Sequence, residues 1–287
     1  MRVVFFFAVF IFFNKLNAQE ELDLSYTEKD SLYIVEFESK GIPDKILHAE
    51  PLYIDLIRDL GAHKGEKEWN FGIGQINNSR YDRYEALVEY EFAPIERVGF
   101  ELELPINLYQ PHENILRDSV PQNKIESFKM ATQWTFLVSD KFKTSMALGY
   151  IHQFLFSSFR NFGNPLFTGN VYSPFLVAAK RWGTNYHTLI YSGPIFHQEF
   201  EENIISSAFQ LNSNLHYMIP GTRNFIGLEV NKIWDKNGFK YTFRPQMRLG
   251  IADNLLVGVV VGVPFNQPDK YASTFFRIIW EPDFKHK

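Results

Sequence analysis

Apolar and polar residues alternate strictly along most of the chain. In one segment Tyr84, Ala86, Val88, Tyr90 and Phe92 are separated by three glutamates and a leucine, and similar segments occur from Glu68 to the C-terminus. Successive side chains of a β-strand point to opposite faces, so this period of two predicts strands with one apolar face. About twelve such segments of roughly ten residues occur, which is the length of a tilted strand that crosses a bilayer.

The predicted strands are joined by connections of two sizes. Short links at 94–97, 139–143, 183–185, 220–224 and 252–254 contrast with long links at 109–124 and 156–170. Single-chain outer-membrane barrels have short turns on one rim and longer loops on the other. We therefore predict an all-β protein, an antiparallel transmembrane β-barrel of about twelve strands over residues 68–287, preceded by a short helical segment.

The first eighteen residues have the organisation of an export signal. A positive start at Met1-Arg2 is followed by an apolar run from Val3 to Phe13 and by Leu16-Asn17-Ala18 as a cleavage site. The apolar run is too short for a membrane-spanning helix, which needs about twenty residues. We expect residues 1–18 to be a cleaved signal peptide and the mature protein to reach the outer membrane.

Residues 19–67 form a segment of their own before the barrel. Between residues 50 and 60, Leu52, Tyr53, Leu56, Ile57 and Leu60 follow a helical spacing, so an amphipathic helix is predicted there. Such a helix could plug the barrel, serve as a periplasmic docking element, or pack its apolar stripe on the periplasmic rim. We expect rim packing, because an amphipathic stripe is first of all a packing surface.

This segment also contains a specific eight-residue motif. It is formed by His48, Ala49, Glu50, Pro51, Leu52, Tyr53, Ile54 and Asp55. The chain thereby resembles the HAEPLYID family, named after that string of residues. The resemblance implies kinship and residence in the cell envelope, and it transfers no catalytic residue.

Composition and charge narrow the range of functions. The chain of 287 residues has a net charge of −4, no cysteine and 17% aromatic residues. An acidic balance argues against nucleic acid as a partner, and the lack of cysteine excludes disulfides and thiolate metal sites. Aromatic side chains suit the interfacial belts of a membrane barrel. The expected partners are outer-membrane lipid, the outer-membrane insertion machinery and a small polar solute. No cofactor is expected.

The strand faces opposite the apolar ones carry charges that would line the lumen. An acidic cluster is predicted at Glu85, Glu89, Glu91, Glu101 and Glu103, and a basic cluster at Lys240, Arg244, Arg248 and Arg277. Like charges on paired strands repel, so lumen water, these cations or a bound metal ion must offset the carboxylates. No ligand spacing typical of a metal site is present, and pairing with cations is the expected solution.

These features predict a narrow channel or transport-type barrel for small polar or ionic solutes. Three alternatives stay open: an envelope hydrolase, a structural or assembly protein that docks through the predicted helix, and a secreted soluble β protein. A hydrolase would use His152 with Ser157 and Ser158, or His197 with Glu199 and Glu201. Neither set has the spacing of a known catalytic arrangement, so we expect no enzymatic activity.

Overall fold

A computed structural model describes residues 28, 34, 35, 38, 45–54 and 56–282. The predicted signal peptide lies outside these residues, as does Asp55 at the end of the eight-residue motif. Within the described part of the chain, no helix is long and apolar enough to span a membrane.

The described chain is dominated by thirteen antiparallel strands. They are β1 (Lys67–Asn78), β2 (Tyr81–Ile95), β3 (Val98–Pro111), β4 (Lys124–Ile125), β5 (Ser127–Ser139), β6 (Thr144–Phe156), β7 (Phe167–Trp182), β8 (Tyr186–Glu199), β9 (Ile204–Met218), β10 (Phe225–Asp235), β11 (Gly238–Ala252), β12 (Leu255–Phe265) and β13 (Lys270–Trp280). A short 3-10 helix, Arg117–Ser119, lies between β3 and β4.

The sheet closes on itself, because β1 pairs with β13 as well as with β2. The two-residue strand β4 pairs with the same edge of β3 as β5 and ends one residue before β5 begins, so it extends β5 and adds no separate position to the ring. Twelve strands therefore form a closed antiparallel barrel, as the alternation predicts. Closure leaves no strand edge with unpaired backbone groups, which is the condition for a sheet to sit in lipid.

Large apolar side chains cover the outside of the barrel. Exposed aromatic residues lie near both ends of the strands: Trp134, Trp182, Tyr186 and Trp280 at one end, and Phe209, Trp234, Phe239 and Phe265 at the other. Aliphatic residues such as Ile73, Leu104 and Val261 are exposed between them. An apolar band between two aromatic belts is the outer surface of a membrane barrel.

The two rims of the barrel differ. We call the rim where β1 begins and β13 ends the proximal rim, and the opposite one the distal rim. All hairpins at the proximal rim are short, whereas the distal rim carries the two long connections, residues 112–123 and 157–166. The distal rim also has tight turns, for example between β10 and β11.

The helix predicted at residues 50–60 is not formed. Residues 45–54 and 56–62 have bends and irregular backbone, and Arg58 adopts the left-handed conformation with φ 62°. This stretch lies inside the barrel rather than on its rim. The prediction was wrong because barrel side chains bind the backbone N–H groups here, for example Gln246 at Leu52 (2.7 Å) and Glu91 at Arg58 (2.7 Å). Such bonds replace the internal hydrogen bonds of a helix.

Candidate functional site

The lumen is occupied near the proximal rim by a segment that we call the plug segment, residues 45–54 and 56–62. Its apolar side chains pack against two different walls. Ile54, Leu56, Ile57 and Leu60 contact an inward-facing apolar patch on β5 to β8 that includes Phe175, Val177 and Leu189. Ala49 and Leu52 contact a second patch on β10, β12 and β13. The plug segment therefore fills the lumen cross-section from wall to wall.

Glycines in the wall allow this close approach. A side chain on Gly99 would collide with the main-chain carbonyl oxygen of Ile57, and one on Gly258 would lie 2.6 to 3.2 Å from the Leu52 side chain. Contacts this short are not tolerated without movement of the backbone. Gly99 and Gly258 thus mark where the plug segment touches the barrel most closely.

The polar contacts of the plug segment reach around the barrel. His48 Nε2 is 2.9 Å from Ser145 Oγ on β6, the Ala49 N–H donates to His187 on β8, and the Gly61 N–H donates to Thr135 on β5. Burial, together with His187 and Arg181, lowers the pKa of His48 to about 3, so this imidazole is neutral at physiological pH.

Charged groups hold the plug segment at its two ends. Lys45 pairs with Asp59 (2.6 Å) and Glu66 (3.0 Å). Burial alone would lower the pKa of Lys45, but these two carboxylates raise it to about 12. Burial would likewise raise the pKa of Asp59, and Arg58 and Lys45 instead hold it well below its ordinary value. Both groups are therefore charged and paired near neutral pH.

The predicted acidic cluster lies beside the plug segment and is almost fully buried. The register of β2 and β3 sets Glu89 opposite Glu103 and Glu91 opposite Glu101. Their side chains are at most 8% exposed. Glu85 lies apart from these four and pairs with Arg83 at 3.0 Å. The cluster is thus a sealed part of the interior rather than an open acidic constriction.

Three cations offset these carboxylates, and two of them were missed in the sequence. Arg58 lies 3.9 Å from Glu91, Lys129 pairs with Glu101 (2.9 Å) and Glu103, and Arg277 pairs with Glu89 (3.2 Å). Arg58 also pairs with two neighbouring carboxylates, Glu68 (2.5 Å) and Glu281 (3.3 Å). Lys129 was detectable, because it occupies an inward position of a predicted strand. Arg58 carried no signal, because it belongs to the stretch for which the spacing predicts a helix.

Among the described residues, one group of side chains has ligand atoms close enough to one another to hold a metal ion. This group belongs to the acidic cluster. Oxygens of Glu89, Glu91 and Glu101 lie within 4.8 Å of one another. Arg277, the Asn70 amide and Lys129 already contact these three carboxylates. The site therefore has the geometry of an internal ion-pair network.

The predicted basic residues do not form one cluster. Arg277 belongs to the acidic group, and Lys240 pairs with Asp235 (2.7 Å) at the distal rim. The Arg248 guanidinium lies 4.7 Å from the ring centre of Phe225. That of Arg244 stacks on Tyr53 of the plug segment, 3.2 Å from the ring centre. The four cations thus differ in depth and in partners.

A cavity of about 440 Å³ lies between the plug segment and the distal rim. Tyr53 and Ile54 form its floor. Its walls come from the distal halves of β5 to β11, with Lys129, Gln153, His197, Gln210, Asn212, Lys240, Arg244 and Gln267 among the lining residues. The lumen therefore has a sealed proximal half and a hollow distal half.

The predicted hydrolase residues are not assembled in a common site. His152 lies on the outer face, stacked on Phe154 with ring centres 4.2 Å apart, and its Nε2 is 3.2 Å from Asn170. Ser157 donates to the main-chain oxygen of Asn161. His197 lines the cavity, and Glu201 lies in the exposed β8–β9 turn.

Comparisons with known proteins agree with this architecture. Two solved barrels are similar in fold: the KdgM porin (12% identity, 75% of this chain and 98% of that chain, TM-score 0.51) and the NanC porin (11% identity, 76% and 100%, TM-score 0.53). No curated protein matches the sequence. The model of the HAEPLYID-like family matches residues 44–281, which is most of the chain. The chain therefore belongs to the HAEPLYID-like family.

Proposed function

We propose that this protein is an outer-membrane channel for small polar or ionic solutes that its own plug segment closes. The observation that carries the proposal is the division of the lumen into a plugged proximal half and a hollow distal half. The porin-like fold and the two aromatic belts support a channel-type barrel in a membrane.

The contacts of the plug segment suit a part that moves. It is tied to the barrel covalently only through the chain that leads into β1, and every other contact is a hydrogen bond, an ion pair or apolar packing. Side chains of the wall bind its backbone N–H groups, and water can replace them when the segment leaves. Opening thus requires no change in the strand pairing of the barrel.

The same geometry argues against the motif as a docking element in the closed state. His48, Ala49, Pro51 and Leu52 are buried between the barrel walls. A partner could reach these side chains only after the plug segment had left the lumen.

A reversible crosslink tests the proposal in a chain that has no cysteine of its own. A side chain at position 258 would place its Cβ atom 3.2 Å from Cγ of Leu52, the atom whose position the sulfur of a cysteine at position 52 would take. The two positions are therefore close enough for a disulfide. We expect the double variant L52C/G258C to be silent in a planar bilayer when oxidised and to conduct after reduction. The single variants L52C and G258C should not respond to the reductant.

Two results would contradict the channel proposal. A second variant, Gly99→Ala, should displace the plug segment because its added methyl group collides with the Ile57 carbonyl oxygen. The channel proposal is wrong if the reduced double variant and Gly99→Ala both migrate as folded, heat-modifiable barrels and neither conducts. Conductance that is the same in the oxidised and the reduced double variant would show that solutes bypass the plug segment.

Membrane location and export belong to the same proposal. We expect the protein to stay in the outer-membrane fraction after a carbonate wash, with the proximal rim toward the periplasm, because short turns face that side in such barrels. Release by carbonate would identify a secreted soluble protein instead. Sequencing of the mature N-terminus should find Gln19 first if residues 1–18 are cleaved.

A further inference from the structure

The charges that face the distal cavity are of one sign. Three inward-facing cations, Lys129, Lys240 and Arg244, line it, and none of its lining residues is an aspartate or glutamate. A fourth lining cation, Lys232, alternates along β10 with the inward-facing Asn231 and donates to Ser213 Oγ at 2.7 Å. The acidic side of the interior lies deeper, beside the plug segment. A solute that enters from the distal rim thus meets the cationic part of the lumen first.

Two of these cations are already neutralised by near neighbours. Lys129 pairs with Glu101 and Glu103, and Lys240 pairs with Asp235. Since each has a carboxylate in direct contact, neither adds much net charge to the cavity.

Arg244 is different, because its direct partners are neutral. Its Nε donates to Asn231 Oδ1 at 2.6 Å, its Nη1 lies 3.4 Å from Ser273 Oγ, and its guanidinium stacks on the Tyr53 ring. No carboxylate of the described residues lies within ion-pair distance of it. The carboxylate opposite in the register, Glu229, instead accepts hydrogen bonds from Asn231 and Gln246.

This leaves a guanidinium with 8% exposure at the floor of a polar cavity, and Glu229 acts on it only from beyond ion-pair distance. A buried charge without a carboxylate in direct contact is costly, and a ligand anion would supply that contact. Guanidinium groups bind planar carboxylates through paired hydrogen bonds.

The remaining polar lining suits hydroxyl groups. Gln153, Gln210, Asn212 and Gln267 contribute carboxamides, which both donate and accept hydrogen bonds. Tyr53 and Tyr191 add ring surface near the floor. A volume of about 440 Å³ lies in the range of small-molecule sites.

We propose that the distal cavity is a binding site for a small, hydroxyl-rich carboxylate, with Arg244 as the residue that holds the carboxylate group. The proposal rests on the channel function for its physiological meaning and names the solute class. Binding itself needs only the closed structure, because the cavity lies on the distal side of the plug segment.

The test compares two probes that differ in one group, D-glucuronate and D-glucose, by calorimetry on the detergent-solubilised full chain. We expect glucuronate to bind at millimolar concentration and glucose not to bind. Arg244→Gln should weaken glucuronate binding by about 10-fold or more, because the carboxylate loses a charged hydrogen-bonding partner. Arg244→Lys should recover part of it.

Lys236→Gln is the matched control, because Lys236 is exposed in the β10–β11 turn outside the cavity lining. It removes one positive charge at the distal rim, outside the cavity, and should leave binding unchanged. Equal binding of the two sugars, no glucuronate binding at millimolar concentration, or equal affinity in Arg244→Gln and the unmodified chain would each overturn the proposal.

The two proposals can fail separately. Glucuronate binding by a barrel that never conducts would leave the anion site standing and refute the channel. Conductance by the reduced crosslink variant without glucuronate binding would refute the anion site alone.

Discussion

The proximal and distal halves of the lumen are built from the same strands but have opposite interiors. Near the proximal rim the carboxylates of Glu68, Glu89 and Glu281 each contact a guanidinium, and apolar wall residues pack on the plug segment. In the distal half the barrel encloses a polar cavity whose charged lining residues are lysines and an arginine. The difference shows that strand pairing does not determine what fills the lumen. In the proximal half the plug segment determines it.

The apolar patches of the proximal wall explain why it needs the plug segment. Phe175, Val177 and Leu189 face inward and are at most 3% exposed. In a water-filled lumen these side chains would be hydrated, which costs about 25 cal/mol for each Å² of apolar surface. Docking of the plug segment buries them, so the barrel and its plug are complementary surfaces.

The largest effect is expected when Arg58 is removed. In Arg58→Met the carboxylates of Glu68 and Glu281 lose a buried cationic partner, which typically costs about 3 to 5 kcal/mol. We expect the plug segment to leave the lumen, measured as chymotryptic cleavage after Tyr53 in the folded barrel, a site that the substitution leaves intact. Arg160→Met, whose ion pair with Asp118 is largely exposed, is the control and should change little. Resistance to chymotrypsin equal to that of the unmodified chain would contradict this role.

Truncation of the apolar contact comes next. Leu52 is 1% exposed and lies against Gly258, so Leu52→Ala should weaken plug docking by about 2 to 5 kcal/mol. The readout is the frequency of channel openings in a planar bilayer. Leu116→Ala, at a side chain that is 78% exposed, should not alter it. Unchanged gating in Leu52→Ala would mean that this contact does not hold the plug.

A wall glycine provides a smaller effect of the same kind. In Gly99→Ala the added methyl group collides with the Ile57 carbonyl, and overpacking of this sort costs about 1 to 3 kcal/mol. Gly250→Ala is the matched control, because its methyl group would meet only ordinary contacts at 3.5 and 3.6 Å. We expect faster tryptic cleavage of the plug segment in the first variant alone, and equal rates would refute the close approach.

Acid should open the plug gradually. His48 is neutral when docked, with its pKa near 3, whereas a released His48 binds a proton below about pH 6.5. Below that pH the released state therefore gains up to about 1.4 kcal/mol per pH unit until pH approaches 3. The depressed pKa of Asp59 acts in the same direction, but only as pH falls toward and below its ordinary value of 3.8. Burial raises the pKa of Glu50, which acts in the opposite direction because the docked carboxyl holds its proton more tightly than the released one.

The measurement is channel opening between neutral pH and about pH 4.5. His48→Gln should remove most of the acid-induced opening in this range, because the contribution of Asp59 begins only below it. An unaltered pH response in His48→Gln would assign the effect to carboxylates alone.

Much of the barrel is readable from alternation because each strand has an apolar outward face. The hairpin of β2 and β3 shows this, since Tyr90 and Phe92 face outward and Glu89 and Glu91 face inward, as their spacing predicts. The region from Tyr172 to Phe200 is the least readable. Several of its inward residues, such as Phe175 and Leu189, are apolar too, because they pack on the plug segment.

The candidate site was only partly predictable. The inward carboxylates and Arg244 follow from the period of two, but Arg58 reaches Glu281 across 223 residues of sequence. Such a contact depends on barrel closure and on where the plug segment lies. The helical spacing of Leu52, Leu56 and Leu60 pointed to a helix, whereas two separate walls receive these side chains.

The sequence by itself determined that the chain forms a barrel, which strand faces are apolar and point outward and which charges point inward, because successive side chains of a strand point to opposite faces of the closed sheet. Tertiary structure alone decided that residues 45–62 fill the proximal lumen, that the acidic cluster is sealed and that Arg244 faces a cavity without an ionic partner. These depend on distances between groups far apart in the chain, which exist only after the sheet has closed around its plug segment.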